Sequence, residues 1–242
     1  MSLPGWSGTD YGDGFDQMKN IIRAYPAMPF IAPFAVFIVL LGLKGVIPLG
    51  INWQYPIQVL FVSAVLLVTS RGLIKERPQN VVGSVFVGLA VFVVWVGPDL
   101  IWPSYRHHWL FENSVTGVAR SSLPIAYRSN LTFLIFRLVG TAVLVPIIEE
   151  VFWRGWLMRY LINIDFFKVP LGTYSRNAYW LTAIMFAVEH GPFWDVGLMA
   201  GLMYNSWMIR TRKLSDCIIA HSITNLALAC FVLFSDHWEY WL

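Results

Sequence analysis

Charged side chains are scarce in this chain. Asp, Glu, Lys and Arg supply 13% of its 242 residues, about half the ~25% of an ordinary soluble domain. A globule of this length could bury a large core, but it could not cover its surface with so few charges. The net charge is only +3, with basic residues scattered along the chain, so the electrostatic footprint of a nucleic-acid binder is missing. Cysteine is limited to Cys217 and Cys230. In one helix they would stand about 20 Å apart, beyond disulfide reach, so both read as reduced, buried packing residues. No internal repeat, low-complexity tract or polar linker divides the hydrophobic body, which favours a single domain. Residues 1–20 carry Asp10, Asp13 and Asp16 where a signal peptide would have a basic stretch. The first span is therefore expected to act as an uncleaved anchor.

What is abundant is apolar and aromatic. Hydrophobic residues make up 57% of the chain, and the mean hydropathy is +0.59. The 12 Trp and 10 Tyr suit two interfacial belts at headgroup level. Residues 1–27 form a polar, Gly-rich head in which Phe15, Met18, Ile22 and Tyr25 are spaced for a short interfacial helix. Apolar stretches follow at 28–49, 54–70, 81–98, 129–148, 149–165, 177–190, 192–209 and 214–234, several near the ~20 residues that span a bilayer core. The pattern predicts an all-α, polytopic transmembrane bundle of about eight helices with a polar cavity inside the membrane, occupying residues 28–242. Basic residues crowd three loops: Arg71, Lys75 and Arg77; Arg159, Lys168 and Arg176; and Arg210, Arg212 and Lys213. By the positive-inside rule these loops and the N-terminus are cytoplasmic, while the 99–128 loop and the C-terminus are outside. That parity requires residues 129–165 to cross the membrane only once.

Ionisable groups within apolar spans cost of the order of 3 kcal/mol each and are functional candidates by default. Glu149, Glu150 and Arg154 lie in VPIIEEVFWRGWLMRYL, His190 in WLTAIMFAVEHG, and His221 with Asn225 in CIIAHSITNLALACF. Counted from the nearest basic loop along ideal helices, Glu149, His221 and His190 sit about 15, 13 and 21 Å deep. Three segments thus carry polar groups to a similar level. Glu150 and Arg154 are i,i+4 and can pair; Glu149 points about 100° away, toward a cavity. Blander readings hold for the remainder. Glu189, next to His190, reads as structural, and His107 and His108 as solvated loop residues. Asn205 and Asp195 read as interhelical hydrogen bonders, and Gly197 to Gly201 as a close helix contact. Lys44 can snorkel from a span end, and Arg137 has no evident assignment.

Glu149-Glu150-x-x-x-Arg154, Phe186-x-x-x-His190 and His221-x-x-x-Asn225, in that order and each within an apolar segment, resemble the three motifs of the CAAX-protease and bacteriocin-processing family of intramembrane peptidases. The resemblance covers about residues 130–234, the expected protease core, and extends weakly to an exosortase-associated bacterial subgroup. It implies that Glu149 activates a water, with His190 helping to hold or deprotonate it. His221 and Asn225 would stabilise the oxyanion, while Glu150, Arg154 and Phe186 shape the site. It further implies membrane lipids and a protein or peptide with a hydrophobic or lipidated tail as partners, in a bacterial inner membrane. No cofactor is expected. A zinc-dependent version would use Glu149, His190 and His221, although neither H-E-x-x-H nor its reverse is present. A non-catalytic scaffold and a proton-coupled carrier are the other function classes, the carrier disfavoured because inverted repeats are missing.

Overall fold

The computed structural model describes residues 17, 20–43, 46, 49–121 and 123–241. Most of the N-terminal head, including Phe15 and Met18 of the expected interfacial helix, and Lys44 lie outside the described residues. A helical turn over 20–24 precedes seven helices: α1 Met28–Gly42, α2 Ile51–Thr69, α3 Val81–Ile101, α4 Leu131–Tyr160, α5 Arg176–Val188, α6 Trp194–Thr211 and α7 Leu214–Ser235. The described residues contain no strand. Three helices, α3, α4 and α7, are long and apolar enough to cross a membrane. Their outward faces carry apolar side chains such as Phe86, 70% exposed, which only lipid would cover favourably.

The stretches 129–148 and 149–165 are not two helices. They fuse into the 30-residue α4, about 45 Å long, which satisfies the single crossing that the loop charges require. The helix is irregular where the motif lies, because Pro146 has no N–H to donate and its ring crowds the preceding turn. The backbone widens into a π-turn over Gly140–Leu144, and a second π-turn, Trp153–Leu157, follows the two glutamates. Such bulges are rare and frequently mark functional sites.

Specific side chains set the helix ends. Asn80 caps α3 by accepting from the Gly83 N–H at 3.0 Å, and Asn130 caps α4 by accepting from the Phe133 N–H at 3.0 Å. The basic loops gather at one end of the bundle. Lys213 pairs with Glu76 at 2.9 Å, and Asp216 accepts the Gln79 N–H at 2.9 Å. The 99–128 loop and the residues after α7 gather at the other end, where Tyr240 donates to Asp99 at 3.0 Å and Ser121 to the Trp241 carbonyl at 3.3 Å. The two cysteines differ from expectation: Cys217 is buried, whereas Cys230 faces outward from α7, and both are free.

The core of the bundle is the α3–α7 seam. Thr224 donates to the Gly88 carbonyl at 2.8 Å and accepts from the Tyr204 hydroxyl at 2.7 Å. A Cβ at Gly88 would come within 2.4 Å of the Ala220 carbonyl oxygen, whereas one at Gly97 on the same helix would meet nothing. Gly88→Ala is therefore expected to force the two helices apart, costing about 1–3 kcal/mol. Gly97→Ala should leave thermal unfolding in detergent unchanged or slightly improved, and equal midpoints for the two variants would refute this packing.

Candidate active site

Among the described residues Arg154 is the largest fully buried side chain, with no exposed surface. Its guanidinium spends its donors on its own helix and on α6. Nη1 reaches Glu150 Oε1 at 3.0 Å, Nε reaches Asn205 Oδ1 at 3.0 Å, and Nη2 reaches the Gly201 carbonyl at 3.2 Å. The ring of Phe186 lies 4.7 Å from it and that of Tyr204 5.4 Å, so its faces are satisfied by π-systems. Asn205 in turn donates to the Tyr179 carbonyl at 2.8 Å. The expected Glu150–Arg154 pair and the expected interhelical Asn205 are both present.

The same Glu150 oxygen also accepts from His221 Nδ1 at 2.9 Å, a contact that spacing alone does not reveal. A carboxylate only accepts, so the Nδ1–H tautomer is fixed, and Nε2 is left with its lone pair. That nitrogen stands 3.9 Å from Glu149 Oε2. Tyr204 stacks on the His221 ring, with centroids 4.9 Å apart. His190 is fixed by similar logic. Its Nδ1 lies 2.7 Å from the Phe186 carbonyl, which can only accept, so His190 Nε2 is also a lone-pair nitrogen. α5 ends at Val188, before His190. The histidine therefore sits on the turn into α6 and not on the helix, with its ring against Gly197, where a Cβ would lie 3.3 Å from it.

Asn225 Nδ2 donates to the Thr141 carbonyl at 2.8 Å. That carbonyl is available because the π-turn sends the Val145 N–H to Gly140 instead, and the next residue along is Pro146, which has no N–H. One proline thus creates the acceptor that orients the asparagine.

Glu149, Phe186, His190, His221 and Asn225 all line one cavity of about 570 Å³. Glu150 and Arg154 stand behind it, fully buried. Glu149 Oε2 is buried without a hydrogen-bond partner, so one oxygen is left for a molecule in the cavity. Away from the basic loops, the cavity reaches the 116–120 stretch and Trp241. Arg137 joins its wall, with its guanidinium 5.0 Å from the Tyr55 ring and 5.7 Å from that of Trp241. Glu189, expected to be structural, also lines it, because the chain leaves the helix at Val188. Among the described residues no group of three or more His, Cys, Asp and Glu converges as a metal-binding set.

Residues 131–227 match the Rce1-like family of type II CAAX prenyl endopeptidases. The matched segment contains every motif residue named above, from Glu149 to Asn225, and it includes α4, α5, α6 and most of α7. No curated protein and no solved structure matches the chain. Within this Rce1-like segment, one cavity-facing glutamate, two histidines and an amide converge on the same space.

Sequence reading missed Arg106 in the 99–128 loop. It is 5% exposed and holds the turn that carries His190, donating to the Pro192 carbonyl at 2.8 Å, to Asp99 at 3.1 Å and to Asp195. Asp195 is thereby tied to the loop rather than to another helix. Burial and the hydrogen bond to Asp195 raise the Tyr105 phenol, and burial with the Asp99 charge raises that of Tyr240, so both remain donors at neutral pH. The sequence offered only Asp99, seven residues before Arg106, as a partner; Asp195 lies 89 residues on and is brought to it by the fold.

The Arg154 network carries a stability test. Arg154→Met leaves the Glu150 carboxylate buried beside His221 without its cation and is expected to cost about 3–5 kcal/mol. The double variant Glu150→Gln/Arg154→Met should recover part of that loss, read as unfolding in detergent. A double variant as unstable as the sum of the single ones would contradict the coupling.

Proposed function

We propose that this protein is an intramembrane endopeptidase of the CAAX-protease type, which hydrolyses a peptide bond near a hydrophobic or lipid-modified segment with a water activated by Glu149. The observation that carries the reading is the unpartnered Glu149 oxygen on a cavity shared with His190, His221 and Asn225. The residues take complementary parts. Glu149 accepts a proton from the water as it attacks the carbonyl carbon, a general-base role. His190 Nε2, aimed by the Phe186 carbonyl, accepts a hydrogen bond from the same water. The oxyanion that forms is met by the remaining Nδ2–H of Asn225 and by His221, whose Nε2 carries a proton taken up through cavity water before the attack and whose Nδ1–H is held by Glu150. Arg154 anchors Glu150 for that purpose, and Phe186 walls the cavity.

The largely apolar cavity wall, with Phe37, Ile38 and Leu41 from α1, supports a hydrophobic substrate segment delivered from lipid. With the basic loops in the cytoplasm, the cavity faces away from it, so the substrate bond is presented from the outer half of a bacterial inner membrane. Membership of the exosortase-associated subgroup belongs to the same proposal, as does a mechanism without a cofactor.

Detergent-purified protein is expected to cleave members of a panel of hydrophobic-tailed peptides, some prenylated, whether or not a strong chelator is present. Glu149→Gln should lower the rate by roughly 10²–10⁴-fold, and Asn225→Ala by roughly 10²–10³-fold. Loss of activity with chelator and its return with zinc would replace the Glu149 mechanism by a zinc site at Glu149, His190 and His221. An inactive wild type across the panel would favour a scaffold.

A further inference from the structure

The hydrolysis proposed above has a second proton to place. Glu149 takes one from the water, but the amide nitrogen must also gain a proton before its bond to carbon breaks. Apart from the proton that Glu149 has just taken, the neighbouring groups are poorly suited to give it. A guanidinium does not give up its protons in proteins, and that of Arg154 is committed to Glu150, Asn205 and Gly201. The Nδ1–H of His190 is spent on the Phe186 carbonyl and that of His221 on Glu150; His190 Nε2 is an acceptor, and the proton on His221 Nε2 is committed to the oxyanion. One acid on the cavity has no role so far.

Glu189 lines the cavity with Glu149. Its Oε1 accepts from the indole N–H of Trp153 at 3.1 Å. Trp153, itself buried, lies one helical turn beyond Glu149, at the start of the second π-turn. The indole therefore holds Glu189 by one oxygen from the same helix that presents Glu149. No donor among the described residues is bonded to the other oxygen, and Glu189 keeps open surface toward the cavity where Glu149 is buried. Two carboxyl groups in unlike surroundings on one cavity is the usual arrangement for a divided base and acid.

We propose that Glu189 is the proton donor to the leaving amine, which makes the hydrolysis a two-carboxyl reaction with Glu149 as base. The proposal rests on the peptidase reading above. In the first step a C–O bond forms between water and the carbonyl carbon, and one water proton moves to Glu149. In the second the C–N bond breaks, its electron pair stays on nitrogen, and the Glu189 proton goes to that nitrogen. The products are a carboxylic acid and an amine. The proton held on Glu149 returns to Glu189 through cavity water before the next turnover.

The test compares two substrates that share one acyl segment, a peptide amide and the matching 4-nitrophenyl ester, whose leaving group departs without being protonated. Glu189→Gln is expected to slow the amide by roughly 10²-fold or more while changing ester hydrolysis less than about tenfold. Glu149→Gln should abolish both. Trp153→Phe, which keeps the ring and removes the N–H, should give a smaller loss, again confined to the amide, and it tests the point independently if Glu189→Gln does not fold. Equal losses on amide and ester in both variants, or no loss at all, would overturn the assignment. A wild type that cleaves neither substrate would overturn the peptidase reading itself. A wild type that cleaves both, with variants blind to the leaving group, would overturn the role of Glu189 alone.

Discussion

A guanidinium buried in the middle of an apolar bundle has to be answered on every side, and that requirement organises this fold. Arg154 takes an oxygen from Glu150 on its own helix and two acceptors from α6, and its faces rest on the rings of Phe186 and Tyr204. Removing a charge of this kind from its partners costs several kcal/mol, so α4, α5 and α6 are locked in one register. The lock also sets the chemistry. Glu150, fixed by Arg154, fixes the tautomer of His221, and Glu149, its neighbour, is turned by about 100° onto the cavity.

Irregular backbone does the remaining positioning. A straight α-helix through residues 131–160 would return the Thr141 carbonyl to its own ladder. Pro146 prevents this, and the π-turn leaves that carbonyl to Asn225 on α7. At the other wall, the early end of α5 puts His190 and Glu189 on a turn, where adjacent side chains can both reach one space. That turn is held from outside the bundle by Arg106. An apparently simple surface loop is therefore part of the geometry of the site.

Much of this was legible in the residues. The scarcity of charge and the lengths of the apolar runs identify a helical membrane bundle. The order of Glu149, Glu150, Arg154, His190, His221 and Asn225 inside those runs indicates a shared polar centre, and all but the pair of Glu150 and Arg154 line the cavity. What spacing could not provide were features that arise only on folding. Two apolar stretches fuse into α4 because no turn separates them: Ile147, Ile148 and Glu149 continue the helix without a breaker. The bridge from Glu150 to His221 joins residues 71 apart in sequence. The direction of Glu189 followed from where α5 stops, and helix ends are the feature that periodicity locates least well.

The central claim is that Glu149 activates a water and does not itself attack the substrate. It is tested most directly by a single turnover in H₂¹⁸O with enzyme in excess, followed by mass analysis of both the product and the enzyme peptide containing Glu149. Direct attack by water predicts the label in the new product carboxylate and none in Glu149. Label in the Glu149 side chain would show a covalent acyl intermediate on that residue and would contradict the account.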